Sequence, residues 1–108
     1  MPFPSRVQLC DALLVYIRKN GGPNYAVIAA DAYEPLAAHF QLTSEERNAS
    51  RNELYKDGRP EPAWHGEVQY ARRNLLKRGL LSSDAGRGLW MLTPQGLEAA
   101  ERVESRKP

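Results

Sequence analysis

Apolar positions in the first part of the chain repeat with a helical period. Val7, Cys10, Leu14 and Ile17 follow one another at spacings of three, four and three, and Leu9, Leu13 and Tyr16 widen the stripe. Residues so spaced share one face of an α-helix. Pro4 and Ser5 suit its start, Arg18 and Lys19 suit the dipole at its end, and Gly21-Gly22 stop it. The small apolar run Ala26-Val27-Ile28-Ala29-Ala30 reads as a second helix, capped by Asn24 and reaching Tyr33. Pro35 is expected to break that segment after Glu34, and a short helix then reaches Phe40. Thr43 and Glu46 have the spacing of a capping box, which predicts another short helix from Ser44 to about Arg51. Residues 52–62 are polar, with two Pro and one Gly, and read as a surface loop.

The strongest helical pattern runs from Ala63 to Arg78. Trp64, Val68, Ala71 and Leu75 fall on one face, with Leu76 alongside. At about 100° per residue the far side carries Gly66, Gln69, Tyr70, Arg73 and Lys77, with His65 and Arg72 on a flank. Gly79 then marks a left-handed helix stop. Leu80-Leu81-Ser82 fits a short strand, residues 83–88 a polar Gly-rich tip, and Leu89-Trp90-Met91-Leu92 the returning strand. Thr93-Pro94 opens a last helix with a moderate stripe of Leu97, Ala100 and Val103. Helix, strand, turn and strand in this order describe a winged helix-turn-helix. The expected fold is α+β and mainly helical, a single domain over residues 1–108 with a small two-stranded wing at about 80–92 and a C-terminal helix at about 94–105.

Composition changes this picture little. With 42% hydrophobic and 26% charged residues the chain is of globular type, and it has no apolar run of the roughly 20 residues a membrane span needs. The first residues lack the basic-then-apolar order of a signal peptide. The single Cys10 forms no internal disulfide and fits a reducing compartment, so a cytoplasmic protein is expected. The net charge of +2 is unevenly placed. Residues 51–90 hold eight basic and five acidic side chains, whereas the flanking segments are balanced or slightly acidic. Positive charge therefore gathers on the strongest helix and the wing, which suits a polyanionic partner.

The outer side of the helix from Ala63 has the side chains of a groove reader. Gly66 would let a backbone approach, Gln69 and Arg73 can hydrogen-bond base edges, and Lys77 can take phosphate. His65, Tyr70 and Arg72 border them, and Arg87 between two Gly at the wing tip is placed for backbone or minor-groove contact. The same pattern also fits a solvated face with routine charges. No metal site is expected: His65 and Glu67 have the wrong spacing, and His39 has no second ligand near it. Cys10 lies on an apolar stripe and reads as a core residue. The tip contains no phosphate-binding loop, since it lacks both GxxxxGK[ST] and a third dinucleotide-type Gly. With no convergent carboxylates or Ser/His/Asp set, no catalytic residue and no cofactor are expected.

From Trp64 onwards the chain resembles the N-terminal winged-helix domain of Mrr-type restriction endonucleases. Trp64, Val68, Ala71-Arg72, Leu75, Lys77 and Gly79-Leu80-Leu81 carry the resemblance, followed by Arg87-Gly88-Leu89-Trp90-Met91-Leu92-Thr93 and Gly96. The first half fits more loosely, through its apolar helix, the Gly-Gly pair, the short helices and the Leu-Thr-x-x-Glu box. The resemblance implies binding to double-stranded DNA and, as in some members, sensing of methylated or otherwise modified bases. In that family a nuclease domain normally follows. The chain stops at Pro108, so it is expected to bind without being an enzyme itself, even where a longer parent is a restriction endonuclease. Two other readings stay open. One is a stand-alone transcriptional regulator, a homodimer joined through Leu97, Ala100 and Val103. The other is a protein-interaction winged helix, favoured by acidic residues that dilute the basic patch.

Overall fold

The computed structural model describes residues 4–48, 50–54, 60–86 and 88–106. The first helix, α1, spans Arg6–Asn20. Its start is held by a capping box: the Ser5 hydroxyl accepts from the Gln8 amide (3.2 Å), and the Ser5 amide donates to Gln8 Oε1 (3.1 Å). Leu9, Cys10, Leu13, Leu14 and Ile17 are buried as the stripe requires. Val7 is not, being 72% exposed. Leu14, seven residues on and nearly in line with Val7, is buried, so Val7 is exposed through its place in the first turn and not through its side of the helix.

The segment expected as a second helix folds otherwise. After a tight turn at Gly22–Asn24, Ala26–Ile28 form strand β1. It pairs antiparallel with β4 (Leu89–Met91), with Ala26 opposite Met91, Val27 opposite Trp90 and Ile28 opposite Leu89. A short apolar run fits a buried strand as well as a helix, and a partner far along the chain settles it in favour of β-branched Val27 and Ile28. Helix α2 is Tyr33–His39. Pro35 lies in its first turn and does not break it, because an N–H there has no helical acceptor to lose. Gln41, in left-handed conformation (φ 58°), ends α2, with Leu42 N donating to Ala37 O and Gln41 N to Ala38 O. Helix α3, Ser44–Asn48, carries the expected capping box between Thr43 and Glu46 but is shorter than foreseen. The stretch read as loop contains an antiparallel pair, β2 (Ser50–Leu54) with β3 (Pro60–Pro62). Pro is tolerated on an edge strand of this kind.

Helix α4, Ala63–Lys77, buries Trp64, Val68, Ala71 and Leu75 as its period predicts. Gly79 (φ 74°) closes it: Gly79 N donates to Leu76 O and Leu80 N to Leu75 O. The strand expected at 80–82 is reduced to one bridge, Leu81 with Leu92, beside a bond from Ser82 N to Met91 O (2.8 Å). The main partner of β4 is thus β1. Helix α5, Pro94–Ser105, is capped by Thr93, whose hydroxyl accepts from Gly96 N (3.0 Å) and donates to Gly79 O (2.7 Å). One side chain thereby joins the end of α4 to the start of α5.

The architecture is a mainly helical winged helix with a small wing. The α3 helix and the β2–β3 pair lie between α2 and α4 in the chain. Leu9, Leu13 and Ile17 of α1, Leu36 of α2, Trp64, Val68 and Leu75 of α4, Trp90 and Ala100 share one core. Helix α5 packs on α1, and an ion pair between Arg18 and Glu104 (2.7 Å) links them. Of the residues expected to form a dimer surface, Ala100 is fully buried, whereas Leu97 and Val103 are half-buried. Among the described residues no helix is long and apolar enough to cross a membrane.

Gly96 gives a sharp test of this packing. A Cβ there would lie 2.0 Å from the carbonyl oxygen of Leu80. Gly→Ala normally stabilises a helix by about 1 kcal/mol. Here Gly96→Ala is expected to destabilise by about 2 kcal/mol or more through overpacking against backbone, lowering Tm by roughly 8 °C or more in a thermal melt. Val7→Ala is expected to change stability by less than about 0.5 kcal/mol.

Candidate functional site

The outward side of α4 is built from the row Arg73 and Lys77, with a different neighbourhood on each flank. Arg73 and Lys77 are exposed, and Arg72 is partly so. Among the described residues none of the three has a carboxylate partner. Elsewhere Arg18 pairs with Glu104 and Glu101, Arg47 with Glu34 (3.3 Å), and Arg106 with Asp11 (3.8 Å), whereas Arg6, Lys19, Arg78 and Arg102 also have no carboxylate partner among the described residues. The positive charge on α4 is therefore left for solvent or a partner.

One flank is organised by Tyr33, in the first turn of α2. Its ring stacks on His65 with centroids 4.0 Å apart and planes 22° apart, and it meets Trp90 edge-on at 6.1 Å. Its hydroxyl accepts from Gln69 Nε2 at 2.6 Å. Its carbonyl accepts from the Trp64 indole N–H at 2.8 Å. Gln69 and His65 are thus half-buried and held against α2, and neither projects freely as a reader would. Their positions are fixed before any partner arrives, which lowers the entropy cost of using their remaining polar edges. Sequence reasoning missed Tyr33 because its contacts cross from α2 to α4, and nothing local marks it.

The other flank carries Tyr70, which is 36% exposed. The Arg6 guanidinium lies over its ring at 3.8 Å, a cation–π contact between the start of α1 and the middle of α4. Gly66, expected to be open for close backbone approach, is buried. Besides α1 and α2, the short α3 packs on α4, so the far side of the helix is open only over its C-terminal half. Arg87 lies outside the described residues. The flanking wing glycines Gly86 and Gly88 both have positive φ, 97° and 78°, which Gly adopts without strain.

Two other groups singled out in the sequence, Cys10 and His39, lie away from the outward row of α4. Cys10 is buried, with Sγ 3.9 Å from Ala71 O and 3.8 Å from Asn74 Oδ1. Burial pushes its thiol pKa up, against a smaller opposing effect of the nearby Arg78 charge. His39 is exposed, edge-on to Phe40 at 4.9 Å. Among the described residues no group of three His, Cys, Asp or Glu side chains is placed to hold a metal ion. A cavity of about 600 Å³ lies between α1, α2 and α5, lined by Val15, Leu36, His39 and Phe40 among others, and none of the α4 residues above reaches it.

With this geometry in hand, comparison with known proteins is informative. A family model described as the Mrr N-terminal domain matches residues 8–102. The chain belongs to that family. Membership associates it with Mrr-type restriction systems. No curated protein and no solved structure matches the chain. In this Mrr N-terminal domain the matched residues take in both flanks of α4 and the wing, and only Arg6 of the outward cluster falls before them.

Two outcomes follow from the site geometry. Tyr33→Phe removes the acceptor for Gln69 and is expected to cost about 1 kcal/mol of stability. It should also shift the Gln69 side-chain amide resonances towards those of a solvated amide, and unchanged resonances would show that the bond does not hold Gln69. Cys10, with its raised thiol pKa, is expected to react with a thiol reagent at pH 8 much more slowly in the folded protein than in denaturant. Equal rates would contradict its burial.

Proposed function

We propose that this domain binds double-stranded DNA as the target-recognition module of a restriction system, in which methylated or otherwise modified bases are the feature sensed. The observation that carries this is the set of cations Arg72, Arg73 and Lys77, which have no carboxylate partner among the described residues, on the outward side and flank of α4, the long helix that precedes β4 and the wing. In this reading α4 enters the major groove through its C-terminal half. Arg73 reaches base edges, assisted by the fixed Gln69, while Lys77 and Arg72 take phosphates. His65 and Tyr70 border the readers on the two flanks, and the wing with Arg87 touches the backbone or minor groove beside α4. Gly66 has no role in contact. The domain recognises and does not catalyse, works in the cytoplasm, and leaves cleavage to another part of the system.

The test is binding of the domain to randomised duplex pools at moderate salt, unmodified and with methylated adenine or cytosine, followed by sequencing of the bound fraction. Enrichment of a motif only in a modified pool is the expected result. Enrichment of an unmodified inverted repeat would instead make it a dimeric regulator, and no retention in any pool would make it a protein-interaction domain. If about five phosphates are neutralised, log K should fall against log salt with a slope of about −4 to −5. Arg73→Ala is expected to weaken the preferred sequence by about 1–3 kcal/mol and others less, whereas Lys77→Ala weakens all alike. Equal losses on every duplex from both changes would remove the groove assignment.

A further inference from the structure

We infer that the cavity between the first turn of α1 and the C-terminal half of α4 is a backbone-phosphate site for the duplex strand that flanks α4, an inference that rests on the reading of α4 as the groove helix. The cavity is about 370 Å³ and is lined by Arg6, Tyr70, Asn74, Arg78, Arg106 and Asp11 among others. Arg6 comes from the start of α1, Arg78 from just past α4, and Arg106 from the end of α5. The fold thus brings guanidinium groups from distant parts of the chain to one cavity. Asp11 is the carboxylate among its lining residues, and its Oδ2 lies 3.8 Å from Arg106 Nη2. The positive excess repels itself in the free protein, and an anion seated there relieves that repulsion.

The chemistry of the lining favours phosphate. The Arg6 guanidinium carbon lies 3.8 Å from the centre of the Tyr70 ring, so the ring holds the guanidinium at the cavity before binding, and its N–H groups suit a phosphate oxygen. Arg78 Nη1 lies 3.4 Å from Asn74 Oδ1, a long contact that a phosphate oxygen readily replaces. Position supplies the rest. Tyr70, Asn74 and Arg78 follow each other four apart and form one row along α4, beside the outward row of Arg73 and Lys77. A helix about 10–12 Å across fills a major groove about 12 Å wide, so the rows flanking its outward face meet the phosphates that border the groove. The opposite flank, with Tyr33 and Trp90, leads to the sheet and wing. Helix α4 therefore has a basic cavity on one side and the wing on the other, a two-sided grip that fixes how it sits in the groove.

The experiment measures binding of the full chain to a 20-base-pair duplex by fluorescence anisotropy across a salt series, for wild type, Arg6→Ala, Arg78→Ala, Arg6→Lys and Asp11→Asn. Thermal melts verify that each variant is folded. Arg6→Ala and Arg78→Ala are expected each to reduce the salt slope by about one unit and to weaken every duplex roughly three- to tenfold alike. Arg6→Lys is expected to retain the slope, and Asp11→Asn to strengthen binding. In parallel, inorganic phosphate at low salt is expected to shift the Tyr70 ring resonances of the wild type. Unchanged slopes in both alanine variants, with the wild type binding DNA, would overturn the phosphate site and leave the groove reading standing. Phosphate-induced shifts combined with such unchanged slopes would make the cavity a free-anion site and overturn the backbone assignment. A loss confined to one sequence would make Arg6 a base reader and overturn it equally. A wild type that binds no duplex would overturn both readings.

Discussion

The junction between α2 and α4 at Tyr33 is the contact on which the geometry of the outward face depends. Its carbonyl takes the Trp64 indole N–H, its hydroxyl takes the Gln69 amide, and its ring is stacked on His65 and edge-on to Trp90. Backbone and side chain of one residue thus hold three residues of α4, Trp64, His65 and Gln69, and touch the sheet as well. Trp64 is 1% exposed, so its N–H must find a partner within the protein, and the Tyr33 carbonyl supplies it. Because Trp64 also fills the core against Phe40, the angle between α2 and α4 is set by packing and hydrogen bonding together. Close-packed side chains of this kind sit in defined rotamers with few voids, so the position of α4 is defined without a ligand.

Electrostatics divides the cations into those used within the fold and those left for a partner. Arg18 joins α1 to α5 through Glu104, and Arg47 reaches Glu34 across the α2–α3 turn. Exposed pairs of this type contribute little to stability, about 0–1 kcal/mol each. Among the described residues the cations they leave without a carboxylate include Arg72, Arg73 and Lys77 on α4 and Arg6 and Arg78 beside it, as well as Lys19 and Arg102. Membership in the Mrr N-terminal domain family associates the chain that carries this charge with Mrr-type restriction systems.

The candidate site was half legible in the chain. Arg73, Lys77, Tyr70 and Arg72 lie at or near the surface as helical periodicity required, because a long helix with one apolar stripe has little freedom in which face it buries. Gly66 failed because periodicity says which face leaves the core and says nothing about which other element covers that face. Gln69 and His65 were placed correctly on the wheel, yet Tyr33 holds them. Arg6 was overlooked since it belongs to a different helix and meets Tyr70 only in the folded protein. Cys10 is buried in the core, as its place on the apolar stripe suggested.

By itself the sequence determined the features encoded within a few residues. The extents of α1, α4 and α5, the Thr43–Glu46 and Thr93 caps, the left-handed stop at Gly79 and the buried stripes all rest on short-range hydrogen bonds and a 3.6-residue period. The tertiary structure alone decided that Ala26–Ile28 is a strand, since its partner β4 lies in the wing. It decided that Leu81 makes one bridge and not a full strand, and that Ala100 is buried. It also decided that Arg6, Arg78 and Arg106 face one cavity. The physical reason is common to all of these. Strand pairing, face coverage and convergence of like charges depend on which distant segment arrives, and local propensity is silent on that.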